Sequence, residues 1–303
     1  MNFELGLIGY PINYSLSPKI HTAALRVCGL EGDYSLFSIR PDDNQALKDL
    51  LSRVRAGEIQ GLNVTIPHKQ NVIHYLDELT PTAQSIGAVN TIYLRNDKLT
   101  GDNTDAMGFI TDLKSFLDHR QSLIDNTCLA PGASAGECRC RKSTIANRKS
   151  VLVLGAGGSA RAVVYALLND GWNVTVAARR PEQALQLASS FPNHDLRLTT
   201  YDLSNIQLSN ISFIINTTPV GMTPHTEESP WPENLSFPPR AAIYDLVYNP
   251  PETKLVREAC LQGLRATTGF GMLIEQAALS FEIWTGRKPS RQVLFEALNQ
   301  TAY

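Results

Sequence analysis

The sequence has no long apolar run and almost no net charge. No stretch of about 18 apolar residues occurs, and the N-terminal MNFELGLIGY has no basic segment followed by an apolar core, so we expect neither a membrane span nor a secretion signal. A formal net charge of -2, with both signs mixed along the chain, leaves no extended positive field for nucleic acid or an anionic membrane. By elimination we expect a small-molecule partner and a cytoplasmic location.

Cysteine is scarce, and its spacing fits neither a disulfide framework nor a metal site. The five cysteines are an odd number and lie scattered along the chain, which favours reduced thiols. Cys138-x-Cys140 has no matching second pair and no histidine at zinc-finger spacing, so no bound metal is expected. What remains is ordinary for a globular protein, since 43% of the 303 residues are hydrophobic and 18% are charged. A chain of this length predicts about two domains.

The clearest local signal is a strand-helix-strand unit in the middle of the chain. An apolar strand at 151–154 leads into a glycine turn, a helix to about Asn169 and a second strand at 173–178. The turn fits G-x-G-x-x-A, in which the glycines let the backbone approach a pyrophosphate at the start of the helix. It supplies six candidate cofactor residues: Gly155, Ala156, Gly157, Gly158, Ser159 and Ala160.

The second strand of this unit ends at Arg179 and Arg180, where an NAD enzyme usually has Asp or Glu. Guanidinium groups suit a 2′-phosphate by charge and by bidentate geometry, so we expect NADP as the cofactor. The alternative is a pair of solvated arginines at a helix start. Further strands at about 196–201, 211–215 and 241–246 predict a Rossmann-type doubly wound parallel sheet. The loop 216–224 leaves the end of a buried strand and is another candidate cofactor contact, or a turn without a ligand.

Residues 1–115 predict a separate α/β domain that binds the substrate. Its expected strands lie in FELGLIG, DYSLFSI, LNVTI and the pair AVNTIYLRN and KLTGDN, which flank a turn at Asn96-Asp97. It has no phosphate loop, so we expect the substrate to bind in a cleft between it and a dinucleotide-binding domain at 150–270, with helices at 275–303 packing back on the first domain. Residues 119–149 lack periodicity and predict an insertion or disordered linker that is dispensable for the chemistry.

Polar residues cluster near the ends of predicted elements in this first domain. Asn63 and Thr65 are expected on one face of the strand at 62–66, with Lys69 just beyond it, either in a site or as a solvated turn residue. Ser15 and Ser17 precede a helix start that needs only one hydroxyl as a cap.

Asp105 begins a helix, either as its N-cap or as a functional carboxylate. Together with the polar segments above, it favours a ligand site in this domain.

Six motifs in this order resemble those of the shikimate dehydrogenase family, and they cover nearly the whole chain except 119–149. They are Ser15-x-Ser17-Pro18, Asn63-Val64-Thr65-Ile66-Pro67-His68-Lys69, Gly87-Ala88-Val89-Asn90-Thr91, Gly101-x-Asn103-Thr104-Asp105, the glycine turn, and Gly269-Phe270-Gly271-Met272-Leu273-Ile274-x-Gln276. The resemblance implies an NADP-dependent oxidoreductase that interconverts 3-dehydroshikimate and shikimate in aromatic amino acid biosynthesis, with a homodimer as a candidate assembly.

The resemblance also implies residue roles. Lys69 and Asp105 match the catalytic pair, and Ser15 and Ser17 match the residues that bind the substrate carboxylate. The remaining implied substrate contacts are Asn63, Thr65, Asn90, Gln276 and Tyr248; the remaining implied cofactor contacts are Thr217, Leu246 and Gly269. The chemistry agrees, because reduction of a ring ketone needs a proton donor beside the developing alkoxide, and nicotinamide hydride chemistry calls for no metal.

Three alternatives stay open. A quinate/shikimate dehydrogenase must admit an extra ring hydroxyl, and Asn63 is larger than we expect in such an enzyme. A regulator that binds shikimate-like ligands without turnover has no need for both Lys69 and Asp105. A methylene-tetrahydrofolate dehydrogenase has no evident use for the serine pair at 15 and 17.

Overall fold

The computed structural model describes residues 2–118, 149–192, 196–200 and 208–299. The chain divides into two compact units, the first made of Met1–Phe109, Arg161–Tyr165 and Gly271–Tyr303, the second of Ile110–Ala160 and Ala166–Phe270. The predicted insertion at 119–149 lies outside the described residues except for Lys149. Within the described ranges, no helix is both long enough and apolar enough to cross a membrane.

The elements up to residue 118 are β1 (Asn2–Gly9), α1 (Ser17–Val27), β2 (Glu31–Ser38), α2 (Asn44–Arg55), β3 (Gly61–Val64), β4 (Glu78–Leu79), α3 (Pro81–Ile86), β5 (Thr91–Arg95), β6 (Lys98–Asp102) and α4 (Asp105–Asp118), with a 3₁₀ turn at Asn71–Tyr75. Those that follow are β7 (Ser150–Leu154), α5 (Gly158–Asn169), β8 (Asn173–Ala178), α6 (Pro181–Ser189), β9 (Arg197–Thr200), β10 (Phe213–Asn216), β11 (Ala242–Asp245), α7 (Lys254–Leu261), β12 (Arg265–Thr268), α8 (Phe270–Thr285) and α9 (Arg291–Asn299).

The first unit is built on a mixed sheet with the strand order β2-β1-β3-β5-β6-β4. β1 pairs in parallel with β2 and β3, whereas β3, β5 and β6 pair antiparallel. The predicted turn at Asn96-Asp97 is confirmed, because both residues have positive φ (50° and 59°), as a two-residue hairpin loop of type I′ requires. This hairpin sets β6 beside β5, and the residues that follow β6 lead directly into α4.

Helix α8, near the end of the chain, completes the first unit by packing on the middle of this sheet. The Trp284 indole Nε1–H donates a 3.1 Å hydrogen bond to the Ile92 carbonyl. A Cβ at Gly61 would lie 2.3 Å from the Trp284 ring, so only glycine leaves room for the indole there. Residues from both ends of the sequence therefore build one unit.

The second unit contains a wholly parallel sheet in the order β12-β11-β10-β7-β8-β9. Counted from β7, this is the doubly wound order 3-2-1-4-5-6, with the topological switch between β7 and β10. The predicted fold class is confirmed, and the apolar strands that carry it (Val151 to Leu154 and Phe213 to Ile215) are fully buried.

Three local predictions need correction. The strand expected at 62–66 ends at Val64, because the Thr65 carbonyl accepts a 2.9 Å hydrogen bond from the His68 N–H and the chain turns before Pro67. Thr65 therefore lies just beyond the end of the strand, where its N–H still donates to the Ile8 carbonyl at 2.8 Å. β4 and β12 were not predicted, because β4 has two residues and β12 is a half-exposed Arg-Ala-Thr-Thr segment without an apolar run.

Candidate active site

The Lys69 side chain lies buried against Asp105. Lys69 follows β3 in the turn before the 3₁₀ segment, is 9% exposed, and places its Nζ 2.6 Å from Asp105 Oδ2. Asp105 is the first residue of α4 and is 4% exposed. The alternative of a solvated turn lysine is therefore wrong. An ammonium and a carboxylate buried this closely compensate each other's charge, and loss of either would leave the other uncompensated.

Asp105 is not the cap of its own helix. The Asn103 Oδ1 accepts hydrogen bonds from the backbone N–H groups of Asp105 (3.1 Å) and Ala106 (3.4 Å), so Asn103 caps α4. Both carboxylate oxygens of Asp105 instead bind side chains, since Oδ2 accepts from Lys69 and Oδ1 accepts from the Asn90 amide at 2.8 Å. The capping alternative for Asp105 is wrong.

Asn90 connects the pair to α8. Its Nδ2 lies 2.8 Å from Asp105 Oδ1 and 3.4 Å from the Gln276 Oε1, while the Gln276 Nε2 donates to the Leu273 carbonyl at 2.8 Å. The close approach of α4 to α8 needs a glycine, because a Cβ at Gly108 would lie 2.8 Å from the Gln276 backbone nitrogen. Four predicted site residues, Lys69, Asp105, Asn90 and Gln276, are therefore joined by hydrogen bonds.

Asn63 and Thr65 occupy different environments. The Asn63 amide is 5% exposed and donates to the Asn90 carbonyl (3.1 Å) and the Ser280 hydroxyl (3.0 Å), while its Oδ1 accepts from the Tyr34 hydroxyl (2.8 Å). Thr65 is half-buried. Tyr34 and Ser280 were not singled out from the sequence, although Ser280 is a polar residue one helical turn after Gln276 on an otherwise apolar face.

Ser15 and Ser17 lie together at the start of α1. The Ser15 hydroxyl accepts a 3.2 Å hydrogen bond from the Ser17 N–H and donates to the Ser17 hydroxyl at 3.1 Å. The N-cap position of α1 is Leu16 and, among the described residues, no side chain caps the helix, so neither serine serves as its cap. Two adjacent hydroxyls at a helix N-terminus suit an anionic group such as a carboxylate.

In the second unit, the glycine turn joins β7 to α5 and leaves room beside its backbone. Gly155 has φ +109°, and a Cβ there would lie 2.6 Å from Thr217 Oγ1, so glycine is required. A Cβ at Gly157, by contrast, would meet no atom within 4 Å, and Gly157 is the N-cap of α5, so no cap side chain fills this space. Open space beside the N–H groups at a helix start fits a pyrophosphate.

The other predicted cofactor residues lie after the carboxyl ends of neighbouring parallel strands. Thr217 follows β10, and its hydroxyl donates to the Leu154 carbonyl at 2.7 Å. Gly269 follows β12 and lies against Leu246, where a Cβ on Gly269 would be 2.3 Å from the Leu246 carbonyl oxygen. The half-buried Tyr248, a predicted substrate contact, also lies in this unit, after β11. This is the edge of a doubly wound sheet where ligands bind.

Arg179 and Arg180 follow β8, and both are exposed. Neither forms an ion pair in the described part of the chain, although Glu182 lies in the first turn of α6. Their guanidinium groups therefore keep their charge available for an anion.

His21 and Asp245 are buried ionisable groups outside the catalytic pair whose pKa values are shifted. Burial lowers the pKa of the His21 imidazole to about 3, against a smaller opposing effect of a hydrogen bond with Asn63, and the ring stacks on Tyr34 with centroids 4.4 Å apart. Burial raises the pKa of the Asp245 carboxyl to about 6, opposed in part by hydrogen bonds to it. In both groups, burial shifts the equilibrium towards the neutral form.

Models of known protein families match segments in the N-terminal, middle and C-terminal parts of the sequence. The model of the shikimate dehydrogenase substrate binding domain matches residues 7–92, that of shikimate / quinate 5-dehydrogenase matches 139–226, and that of the shikimate 5′-dehydrogenase C-terminal domain matches 269–298. The shikimate dehydrogenase (NADP(+)) of Salinibacter ruber is 37% identical over 299 residues, which cover 96% of this chain and 95% of the relative.

Solved structures give the same result. A shikimate dehydrogenase in complex with NADP+ has a TM-score of 0.82 and 34% identity, with 100% of this chain and 96% of that chain covered. Shikimate 5-dehydrogenase from Thermus thermophilus, in complex with NADP(H) and shikimate, has a TM-score of 0.78 and 36% identity, with 98% and 99% covered. From its motifs, its doubly wound second sheet and these matches, the chain belongs to the shikimate dehydrogenase family.

Proposed function

We propose that this protein catalyses the NADP-dependent interconversion of 3-dehydroshikimate and shikimate, a step of aromatic amino acid biosynthesis. The observation that carries the proposal is the buried pair of Lys69 Nζ and Asp105 Oδ2, 2.6 Å apart, in the unit whose sequence matches the family's substrate-binding domain. The relatives named above carry this activity in their names, and the Thermus thermophilus enzyme was solved with both NADP(H) and shikimate.

The pair performs the proton transfer. When the ketone is reduced, its oxygen becomes an alkoxide that must take up a proton, and the Lys69 ammonium donates it; in the reverse direction the Lys69 amine takes the proton from the hydroxyl. Asp105 orients the Lys69 side chain, stabilises its positive form and accepts a hydrogen bond from the substrate hydroxyl. Asn90, which donates to Asp105 Oδ1, keeps that carboxylate in place.

The remaining substrate contacts follow the resemblance. The Ser15 and Ser17 hydroxyls bind the carboxylate at the start of α1, where the helix dipole favours a negative charge. Thr65, Asn90 and Gln276 bind ring hydroxyls, and Tyr248 is a further contact. The Asn63 amide, like the Asn90 amide, also forms hydrogen bonds inside the protein.

The second unit fits NADP. The backbone of Gly155 to Ala160 holds the pyrophosphate, supported by the open space at Gly157. Arg179 and Arg180 bind the 2′-phosphate, supported by their exposure and charge. Thr217, Leu246 and Gly269, which follow β10, β11 and β12, would hold the rest of the cofactor. When bound, NADP supplies the hydride chemistry.

A single set of assays tests the proposal. Absorbance of reduced nicotinamide is followed with shikimate and with quinate, each with NADP and with NAD. We expect the highest kcat/KM for shikimate with NADP. Comparable turnover of quinate would establish the runner-up, a quinate/shikimate dehydrogenase, and binding of shikimate without turnover in any combination would reject the enzyme in favour of a ligand-binding regulator.

A cytoplasmic location and a homodimer complete the proposal. The location is supported by the family's place in amino acid biosynthesis, and the homodimer rests on the resemblance alone. Light scattering after size-exclusion chromatography tests the assembly, and a mass equal to one chain would reject the dimer. Cell fractionation with an antibody against the chain tests the location.

A further inference from the structure

Asp105 stands at one end of a chain of buried hydrogen bonds whose first member is Asn90. The Asn90 Oδ1 accepts a 2.8 Å hydrogen bond from the Thr104 N–H, and its Nδ2 donates to Asp105 Oδ1 at 2.8 Å. Because a backbone N–H can only donate, the amide atom that faces Thr104 must be the oxygen. The nitrogen must then face Asp105, so the orientation of Asn90 decides how the carboxylate is held.

Ser280 fixes the hydroxyls that surround Asn90. Ser280 lies on α8 and is fully buried, and its Oγ is 2.8 Å from Thr91 Oγ1 and 3.1 Å from Thr104 Oγ1. The Thr91 hydroxyl donates to Asn90 Oδ1 at 2.9 Å. A single hydroxyl on α8 therefore braces both threonines that contact Asn90.

Asn63 extends the hydrogen-bond chain along the same face of the sheet to Tyr34 on β2. Its amide must point Nδ2 towards the Asn90 carbonyl (3.1 Å), because a carbonyl can only accept, and the same nitrogen donates to Ser280 Oγ at 3.0 Å. The Tyr34 hydroxyl then donates to Asn63 Oδ1 at 2.8 Å. Both amide hydrogens of Asn63 and its oxygen are engaged inside the protein, so this side chain is held in one orientation.

The members of this hydrogen-bond chain are themselves buried. Tyr34, Asn63, Asn90, Thr91 and Ser280 are each at most 8% exposed, so water does not readily replace a lost partner. Hydrogen bonds in such a setting hold their members in one arrangement. The chain of hydrogen bonds ends at the Asp105 carboxylate, which pairs with Lys69. The orientation of the hydrogen-bonded side chains therefore determines the position of the reacting groups.

We propose that Tyr34, Asn63 and Ser280 are positioning residues that hold Asn90, and through it the Asp105 carboxylate, in the geometry that Lys69 needs. The inference rests on the proposed function and deepens it, because it assigns a role in the reaction to residues that act through Asn90.

Two variants test this inference by removing one oxygen atom each, Tyr34→Phe and Ser280→Ala. We expect each to lower kcat for shikimate oxidation about three- to tenfold, the effect of one neutral hydrogen bond, with KM for shikimate and for NADP within about twofold of wild type. The double variant should lose less than the product of the two single effects, because both residues act through Asn63.

Two control variants in the same unit each remove a hydroxyl of the same residue type whose hydrogen bond is elsewhere. Tyr75→Phe removes a tyrosine hydroxyl that donates to Asn44 Oδ1 at 2.9 Å, and Ser52→Ala removes a serine hydroxyl that donates to the carbonyl one helical turn earlier, at 2.9 Å. Both controls should keep wild-type kcat. Thermal unfolding of all variants separates a loss of folded protein from a loss of rate, and if Ser280→Ala does not fold, Tyr34→Phe decides.

The outcomes are distinct. Unchanged kcat in Tyr34→Phe and Ser280→Ala would overturn the inference and leave the chain a structural feature. A rise in KM for shikimate at constant kcat would also overturn it, because that result identifies uniform substrate binding. Failure of the wild-type protein to oxidise shikimate would instead reject the proposed function.

Discussion

The Asn216 amide donates a 2.8 Å hydrogen bond to the Asp245 carboxylate in the interior of the second unit. Asn216 also accepts from the Thr218 N–H and hydroxyl, and Asp245 accepts from the Val247 N–H and the Thr253 hydroxyl. The two residues end β10 and β11. This hydrogen bond therefore joins the start of the loop after β10, which contains Thr217, to the start of the loop after β11, which contains Leu246.

Asp245 makes stability fall as the pH rises. Its pKa is raised from 3.8 to about 6, so its contribution is fully present below about pH 4 and is lost as the pH rises through 6. Asp245→Asn should remove this dependence. The variant should therefore be more stable relative to wild type at pH 8 than at pH 4, with a difference in the free energy of unfolding that is larger by roughly 3 kcal/mol. Urea unfolding at both pH values measures it.

Asp77→Asn is the matched control. Arg55 lowers the pKa of the exposed Asp77 carboxyl to about 2, so its contribution is lost only in stronger acid. The stability of Asp77→Asn relative to wild type should be the same at pH 4 and pH 8. A constant difference for Asp245→Asn as well would contradict the prediction.

His21 should act in the opposite direction. Its pKa is lowered from 6.5 to about 3, so the stability it contributes is fully present above pH 6.5 and is lost as the pH falls towards 3. His21→Phe keeps a ring on Tyr34 and cannot take up a proton. Wild type should lose about 2 kcal/mol more than this variant between pH 7 and pH 5, measured by urea unfolding. His74→Gln, which removes an exposed imidazole, serves as the control, and equal acid slopes for wild type and His21→Phe would refute the prediction.

Lys69→Ala should lower kcat by about a hundredfold or more with little change in KM, because a positioned acid or base typically contributes 10²- to 10⁴-fold. Steady-state kinetics with shikimate and NADP measure both constants. Lys98→Ala is the control, since Lys98 also pairs with a carboxylate, Glu78, at 3.6 Å but is 61% exposed. A Lys69→Ala enzyme with near-wild-type kcat and a raised KM would show that Lys69 only binds substrate.

Arg179→Ala should raise KM for NADP about tenfold or more and scarcely alter the use of NAD, because a hydrogen bond to a charged group is worth ~1.5 to 3 kcal/mol. Arg180→Ala is the matched variant and should have the smaller effect, since Arg179 occupies the family's arginine position. Initial rates at varied NADP and NAD measure the difference. Equal losses with both cofactors, or a wild-type preference for NAD, would overturn the assignment.

The strand-helix-strand unit was predictable because its signals are local. The apolar run before Gly155 and the glycines after it mark β7, α5 and β8 within about one residue of their observed ends. β12 carried no such signal, since its four residues are half-exposed and alternate poorly. Its place in the sheet comes from pairing with β11, which is a tertiary contact that the pattern does not contain.

The sequence predicted which residues form the site better than it predicted the hydrogen bonds that join them. Motif spacing identified Lys69 and Asp105, but the residues around Asp105 alone left a helix cap open as its role, a role that Asn103 performs two residues earlier. Ser280 and Asn63 are 217 positions apart. No local pattern indicates that two such residues meet, so the buried chain behind Asp105 required the structure.

The position of α8 in the sequence has a consequence for synthesis. Residues 110–270 are synthesised before most of α8, so the sequence of the second unit is complete while the first unit still lacks this helix. The first unit has no Trp284 to cover Gly61 and no Ser280 beside Thr91 until the last segment emerges. A chain that terminates early, after residue 270, should therefore retain the glycine turn in its sheet and lack a completed site around Lys69, which makes assembly of the catalytic pair one of the last events in the protein's biogenesis.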